Sequence, residues 1–459
     1  MENNTSLKKN LGVSAAMSLV VGCVIGAGVF FKPASIFAQT GGAPGMGMLA
    51  WIIGGLASLL GALTFAELSV MIPRTGGMVA YLNDAFNEPL AFIAGWMQTV
   101  IFYPAFLAGY GITIGNELSA LLGLGPAFQL PIAIGLITLL IGANSLGSKA
   151  AGNIQLVSTI CKLIPLGLLM IFGFILGSGE NPIFTPMVGE GKNTGAVLGS
   201  TLLAVLFAFE GWTNVGAIAG EMKNPGKDMP LAIVGGVSII MAVYFAINLA
   251  LLWVLPAETM AALNYDGAPS VASVAAKLMF GDIGGTLVTV GIIISVIGAA
   301  NGFLLSGSRV AYHLAVFNTL PGSKHLAKLN NRHVPTNSIL LVGIISILYC
   351  FIGQLKLIDG MTTFDLLTNL AVFSCWIFYT LTFVCVILLR KKQPNAERKY
   401  KVPLYPVVPL LAIASGLYVV ISQLFLSGMQ TTVISLCSIG ISILGLPVYL
   451  LVTKKNASK

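Results

Sequence analysis

Two short stretches of this chain combine residue types that a plain apolar segment avoids. The first, VGCVIGAGVFFKP (21–33), sets Gly22, Gly26 and Gly28 in a run otherwise apolar enough to cross a membrane. The second, FAFEGWTN (207–214), sets Glu210, Gly211 and Trp212 in the middle of another apolar run. Glycine weakens a helix, so each stretch reads as a place where a helix breaks. A break exposes backbone N–H and C=O groups, and these are costly against lipid, so each break must line a protein-enclosed or watery cavity. One half-helix ends there in free carbonyls with partial negative charge, and the next begins in free N–H groups with partial positive charge. Two such breaks side by side suit a zwitterion: N–H groups near Ala27 and Gly28 for a carboxylate, carbonyls near Val24 and Phe207 for an ammonium. Glycines in membrane helices also permit close helix contact; the second interruption, in a corresponding place, favours the ligand reading.

Few other ionisable residues fall inside apolar runs. Lys162, in STICKLIPLG (158–167), lies roughly 18 Å along the axis of its span, beyond easy reach of water. A cation at the centre of a membrane helix costs ~2.5–3.5 kcal/mol on insertion scales, so Lys162 must face the bundle interior and meet carbonyls or a carboxylate. Pro165, three residues on, loosens the local helix hydrogen bonding. Three roles are open to Lys162. Its ammonium replaces a bound sodium ion on the carbonyls of the first break, it gives up its proton and couples solute movement to protons, or it forms a structural ion pair. Glu210 either fixes the second break by accepting orphan N–H groups or attracts a cationic ligand. Phe207 and Trp212 flank that break and read as gates. Glu67 and Glu117 lie near helix ends and Arg74 in a loop, and none of them carries a ligand role. His313, His325 and His333 sit on or near one loop, and the six cysteines have no CxxC spacing. No metal site or cofactor is expected.

The elements that position these residues follow from composition. Of 459 residues, 56% are hydrophobic and 9% charged, against roughly 25% charged in soluble domains. Twelve apolar spans are expected, at 11–38, 45–71, 89–122, 128–146, 150–176, 195–220, 231–255, 282–312, 336–354, 364–390, 404–426 and 430–452. The first follows Lys8 and Lys9 but is too long for a signal peptide and lacks a cleavage site, so it reads as a retained helix. With the N-terminus inside, Lys192, Lys277 and Lys356 alone of the 24 Lys and Arg fall outside, and Lys32 and Lys162 lie within spans. That asymmetry places both termini in the cytoplasm of a cell-membrane protein. The formal charge of +8 therefore reports topology and not a nucleic-acid partner. The outside segment 256–281 should carry a short surface helix.

The two interruptions are five spans apart. Five is odd, so a five-helix repeat re-enters the bilayer from the opposite face, and paired interruptions in inverted halves point to a transporter's substrate site. The fold expected is an all-α membrane protein of twelve helices in one domain. It comprises an inverted repeat over 11–178 and 194–390 with two trailing helices over 403–453. A membrane-embedded enzyme is disfavoured because the spans hold no histidine and no cluster for nucleophile, base or metal. A channel is disfavoured because midplane breaks bind a solute instead of lining a continuous polar pore.

IGAGVFFKP, FAELSVMIPRTGGMVAYL, FAFEGW and Lys162 together resemble the L-amino acid transporter branch of the amino acid, polyamine and organocation superfamily, most closely its bacterial alanine-serine-cysteine and serine/threonine exchangers. The likeness runs from about residue 9 to 450. It implies alternating access and sodium-independent exchange of neutral amino acids across the bilayer. Proton-coupled symport is the alternative on the same fold. It also implies that the amides of Ala27 and Gly28, beside Gly26, bind the carboxylate and that the carbonyls of Val24, Phe207 and Ala208 bind the ammonium. Lys162 takes the place of a sodium ion, contacting the first break near Gly22 together with Ser295, and Tyr244 shapes access. Ala27 stands where serine is common, which leaves an amide ligand intact. Phe207 and Tyr244 with short Ala27, Ala208 and Thr213, around Glu210 and Gly211, suggest a cramped pocket for small neutral amino acids. Animal members join a heavy subunit through a cysteine in the loop after span three. Here that loop, LLGLGPAFQLP, has none, so no disulfide-linked partner is expected.

Overall fold

The structure, a computed structural model, describes residues 11–355 and 361–457, without the side chains of 148–150 and 455–457. Lys8, Lys9 and Lys356, which enter the charge argument above, lie outside these residues. Among the described residues the chain is helical, and its one extended pairing is a parallel bridge between Leu11 and Met222. Eleven helical segments are long and apolar enough to cross a membrane. The twelfth, Thr194–Ala208, has 15 residues. At 1.5 Å per residue it covers roughly 22 Å, short of the ~30 Å hydrocarbon core. It is short because it stops at the second break.

In chain order the helices are α1 (Val13–Val24), α2 (Gly28–Thr40) and α3 (Pro44–Met71), followed by α4 (Met78–Ala85). Next come α5 (Glu88–Leu121), α6 (Pro126–Ser145), α7 (Ser148–Leu176), α8 (Thr194–Ala208), α9 (Asn214–Ala217) and α10 (Pro225–Val254). The last are α11 (Val271–Val316), α12 (Thr336–Gly353), α13 (Thr363–Lys392), α14 (Val407–Phe425) and α15 (Met429–Lys454). The surface helix and span eight, expected as separate pieces, are the two arms of α11, bent at Gly281 (φ 72°, ψ −169°). Glycine alone takes that left-handed backbone without a Cβ clash.

Burial sorts the helices. In their most apolar windows, 72% of Val13–Thr40, 78% of Glu88–Leu121 and 72% of Thr363–Lys392 is buried, against 22% of Pro126–Ser145 and 28% of Met429–Lys454. The broken helices therefore sit inside, with α5 and α13 against them, while α6 and α15 turn side chains such as Leu139 and Leu451 outward. Such leucines have no favourable neighbour in water and require lipid.

The two ends of the bundle differ. On one face, the Leu11 face, the chain before α1 pairs with Met222, Gly220 abuts Thr75 and Gly76 abuts His313. On the other, the Thr40 face, Met46 N–H donates to Met187 O, Gly189 N–H to Thr40 O and Thr363 N–H to Asp266. Glu67 fastens the Leu11 face. Buried on α3, it accepts from Arg390 at 2.8 and 2.6 Å and from the Val402 N–H at 2.7 Å, and it pairs with Arg398. One carboxylate thus joins α3, α13 and the basic segment leading to α14. Arg390 also lies over the Tyr405 ring.

Glu67→Ala leaves Arg398 buried without its counter-charge, so it should destabilise the protein by ~3 kcal/mol or more, read as a lower melting temperature in detergent. A melting curve identical to wild type would show that the clamp contributes nothing to stability.

Candidate substrate site

The first helix breaks between Val24 and Gly28. Ile25 N–H still reaches Val21 O, and Gly26 N–H turns back to Val24 O at 2.8 Å. Helix α2 restarts with Phe30 and Phe31 N–H both on Ala27 O. The N–H groups of Ala27, Gly28 and Val29 are left without a partner among the described residues, although all three residues are buried. Buried orphan amides are rare. Three in a row at a helix N-terminus form a donor cluster for an anion.

The second helix breaks after Ala208. Phe209 N–H bonds Val205 O, Glu210 N–H bonds Phe207 O at 3.0 Å, and Asn214 N–H bonds Gly211 O. Gly211 takes φ 119°, and a Cβ there would stand 2.7 Å from Cys23 Cβ. Across from it, a Cβ on Gly28 would lie 2.5 Å from Ala208 Cα and 2.8 Å from Ala208 Cβ. Gly26 faces Ala299 and the Tyr110 hydroxyl, and Gly22 faces Gln155 and Thr159 of α7. Close contact and an unpartnered backbone therefore coincide here: the glycines let the two breaks touch where the amides have no partner among the described residues.

Lys162 is fully buried. Its Nζ donates to Gly22 O at 2.6 Å and to Ile25 O at 2.5 Å, and Ser295 Oγ donates to the same Ile25 carbonyl at 3.2 Å. Ile25 was not singled out from sequence. It is the last carbonyl before the chain turns, which is where a break concentrates acceptors.

Tyr244 on α10 joins the two breaks: its hydroxyl lies 2.6 Å from Val24 O and 3.1 Å from Ala208 O. A phenol has one proton, so Tyr244 serves one of these carbonyls at a time, and Val24 O keeps the Gly26 N–H when that proton is on Ala208 O. The carbonyls read as ammonium ligands are thus partly engaged: Val24 with Gly26 N–H and Tyr244, Phe207 with Glu210 N–H, Ala208 with Tyr244. Glu210 Oε1 accepts from Gly211 N–H at 3.2 Å and from the Tyr379 hydroxyl at 2.5 Å. With its hydroxyl donating to Glu210, Tyr379 accepts a hydrogen bond from Thr213 Oγ1 at 2.7 Å. Glu210 accordingly holds the second break to α13. Trp212 is buried edge-on against Phe65, at 5.5 Å between ring centroids. The Phe207 ring stacks on Phe106 at 5.0 Å, and Phe106 stacks on Phe303 at 4.4 Å, so a stack of three rings stands beside the second break.

Lys32 and Asp365 escaped the sequence reading. Lys32 Nζ meets Asp365 Oδ1 at 2.5 Å and Thr368 Oγ1 at 3.0 Å. The two residues are 333 positions apart. One signal was available: Lys32 is an ionisable residue four places after Gly28 inside a membrane span, and such a residue implies a partner.

Two broken helices that touch at the centre of a lipid-facing bundle, with a buried ammonium on one break and orphan amides on the other side of it, are the architecture of a membrane permease for a small solute. A family model described as amino acid permease matches residues 11–445, and the chain belongs to that family. It is 37% identical over 455 residues to the serine/threonine exchanger SteT of Bacillus subtilis (strain 168), covering 99% of each chain. It is 28% identical over 441 residues to the b(0,+)-type amino acid transporter 1 of Rattus norvegicus, covering 92% of this chain and 84% of that one. It is 27% identical over 461 residues to the cystine/glutamate transporter of Homo sapiens, covering 98% of this chain and 86% of that one. The relatives are named as transporters and exchangers, not enzymes.

Because Gly28 abuts backbone, even alanine there must push the breaks apart. Gly28→Ala should lower the melting temperature and abolish stabilisation by a bound amino acid. Adding Ala208→Gly, which removes the Cβ but leaves the Cα at 2.5 Å, should restore only part of either. Wild-type behaviour of Gly28→Ala would show that this contact does not shape the site.

Proposed function

We propose that this protein exchanges small neutral L-amino acids, such as alanine, serine, cysteine, threonine and glycine, across the cell membrane without sodium. The observation that carries the reading is the buried Lys162 ammonium on the Gly22 and Ile25 carbonyls beside three unpartnered amides. The amides of Ala27, Gly28 and Val29 take the carboxylate. The substrate ammonium adds to the hydrogen bonding of Ala208 and Val24 beyond what the one Tyr244 proton and the Gly26 N–H supply. Lys162 supplies the positive charge that would otherwise come from a sodium ion, so the first break stays organised in any salt. The bulk of the Phe106, Phe207 and Phe303 stack beside the second break favours a substrate with a short side chain. Glu210 is engaged by Tyr379 and Gly211, which argues against a cationic substrate held there.

Exchange follows from the same hydrogen-bond deficit. The empty closed site strands buried polar groups, and a bound amino acid fills them, so the occluded state is reached more readily loaded than empty. Two inverted repeats over 11–178 and 194–390, with 403–453 appended, are supported by direction: α1 and α2 run from the Leu11 face to the Thr40 face, while α8 and α9 run the opposite way. Among the described residues Lys192 and Lys277 are the cations on the Thr40 face, whereas Arg74, Lys223, Lys227, Arg390, Lys391, Lys392 and Arg398 crowd the other. The Leu11 face, with both termini, is therefore cytoplasmic. The loop after α5 holds no cysteine, which supports a carrier that works without a disulfide-linked subunit.

In proteoliposomes, uptake of labelled alanine should require an amino acid inside and should be unchanged when choline replaces sodium. Concentrative uptake into empty vesicles driven by a pH gradient would establish symport instead. Lys162→Ala should lower exchange at least tenfold at equal protein content, and undiminished exchange would refute the cation-substitute role.

A further inference from the structure

We propose that the Leu11 face carries a binding site for a phosphate-bearing anion, built from Lys223, Lys227, Lys399 and Tyr400, and that the bound anion braces the chain beyond the second break against the segment between α13 and α14. The site does not rest on the function proposed above; that it faces the inner leaflet rests on the orientation given there.

A cavity of about 900 Å³ opens where the start of α10 meets the end of α3 and the segment between α13 and α14. Lys223 and Lys227 line it from one side and Lys399 from the other, and Glu397 is the one carboxylate in its lining. A Cβ on Gly226 would lie 3.2 Å from Lys399 Cδ, so the Lys399 stem lies over a residue between Lys223 and Lys227. Among the described residues none of these lysines joins an ion pair, and neither does Glu397. The positive charge of a cytoplasmic face accounts for lysines being here. It does not account for packing one from position 399 against two from 223–227, because like charges repel unless an anion lies among them.

A second observation is independent of the lysines. Tyr400 also lines the cavity, and its hydroxyl is buried without a partner among the described residues. Burial, with the Glu67 charge nearby, pushes its pKa up to about 12, so the hydroxyl keeps its proton as a donor. A buried orphan donor implies an acceptor that belongs beside it. Three ammoniums and one neutral donor suit the several oxygens of a phosphate group. The rest of the lining includes apolar Met71, Pro73 and Pro230, and Leu231, next along α10, is 53% exposed. The cavity is larger than an inorganic phosphate ion fills. Ammoniums on one wall and apolar side chains on another, at the edge of a lipid-facing helix, favour the headgroup of an anionic lipid.

Position gives the anion a role. Leu11 N–H donates to Glu221 O at 3.0 Å and Lys223 N–H to Leu11 O at 2.8 Å, so Lys223 belongs to the strip that ties α9 to the chain before α1. Across the cavity, Arg398 and the Val402 N–H are held by Glu67 of α3. An anion shared by Lys223, Lys227 and Lys399 joins that strip to the Glu67 clamp and holds the Leu11 face together.

The test follows melting of the full chain in uncharged detergent while short-chain phosphatidylglycerol, phosphatidylcholine or inorganic phosphate is added at matched ionic strength. The cavity variant is Lys223→Gln/Lys227→Gln/Lys399→Gln, and the control variant is Lys324→Gln/Lys328→Gln/Lys391→Gln, which removes three lysines outside the cavity. Phosphatidylglycerol, unlike phosphatidylcholine, should raise the melting temperature of wild type and control at the same half-saturating concentration, and the cavity variant should need at least tenfold more. Equal concentrations for the cavity and control variants overturn the site. Protection by inorganic phosphate instead, lost in the cavity variant, keeps the site and assigns it to a soluble phosphate; protection by neither overturns it. Without added anion the cavity variant should melt at or above the wild type, because gathered like charges are relieved. A lower melting temperature makes the lysines structural supports and overturns the proposal. Tyr400→Phe should raise the half-saturating concentration at least threefold, and an unchanged value overturns the part given to its hydroxyl. Every readout is thermal, so a protein that exchanges no alanine ends the proposed function and leaves this result standing.

Discussion

The contact on which the rest depends is the Lys162 ammonium on the Gly22 and Ile25 carbonyls. A helix broken inside a membrane has lost its own means of satisfying its backbone, and carbonyls facing one another without a cation repel. A covalently attached charge solves this permanently, because it cannot dissociate as an ion does. The cost falls on the lysine, whose charge is removed from water, and it is offset only while the break persists. Lysine and break are thus mutually required: the intact helix would leave Lys162 without acceptors, and an apolar residue at 162 would leave Ile25 O with Ser295 Oγ alone and Gly22 O without its cation.

Much of the fold was legible because a membrane chain has few ways to satisfy its backbone. Apolar run length alone located twelve spans; eleven are helices long and apolar enough to cross a membrane, and the one expected at 195–220 holds a shorter helix that stops at the second break. At the site, a contact of Lys162 with the first break was legible because a cation buried that deep needs carbonyls, and the breaks are where carbonyls are free; that it falls at Gly22 was implied by the family resemblance. The joining of the α11 arms through Gly281 was not legible, since a single glycine separates a turn from a bend only through its backbone angles.

What the sequence could not reveal was pairing across long separations. Lys32 looked like one more residue in a span because its counter-charge is at the start of α13, where an aspartate also serves as an ordinary helix-capping residue. Tyr379 and Tyr244 are aromatic residues in apolar helices, and only geometry distinguishes a tyrosine placed for bulk from one placed for its hydroxyl. The glycines were read as a choice between close contact and ligand access. The Gly28 to Ala208 approach makes the two inseparable.

The bridge between Leu11 and Met222 has a mechanical meaning. It fastens the residue just before α1 to the chain just after α9, while Gly211 meets Cys23 at the other end of the same two segments. Tied at both ends, α1 and α9 form one rigid strut instead of two independent levers. Any swing of one carries the other, so on this face the two breaks share a single axle.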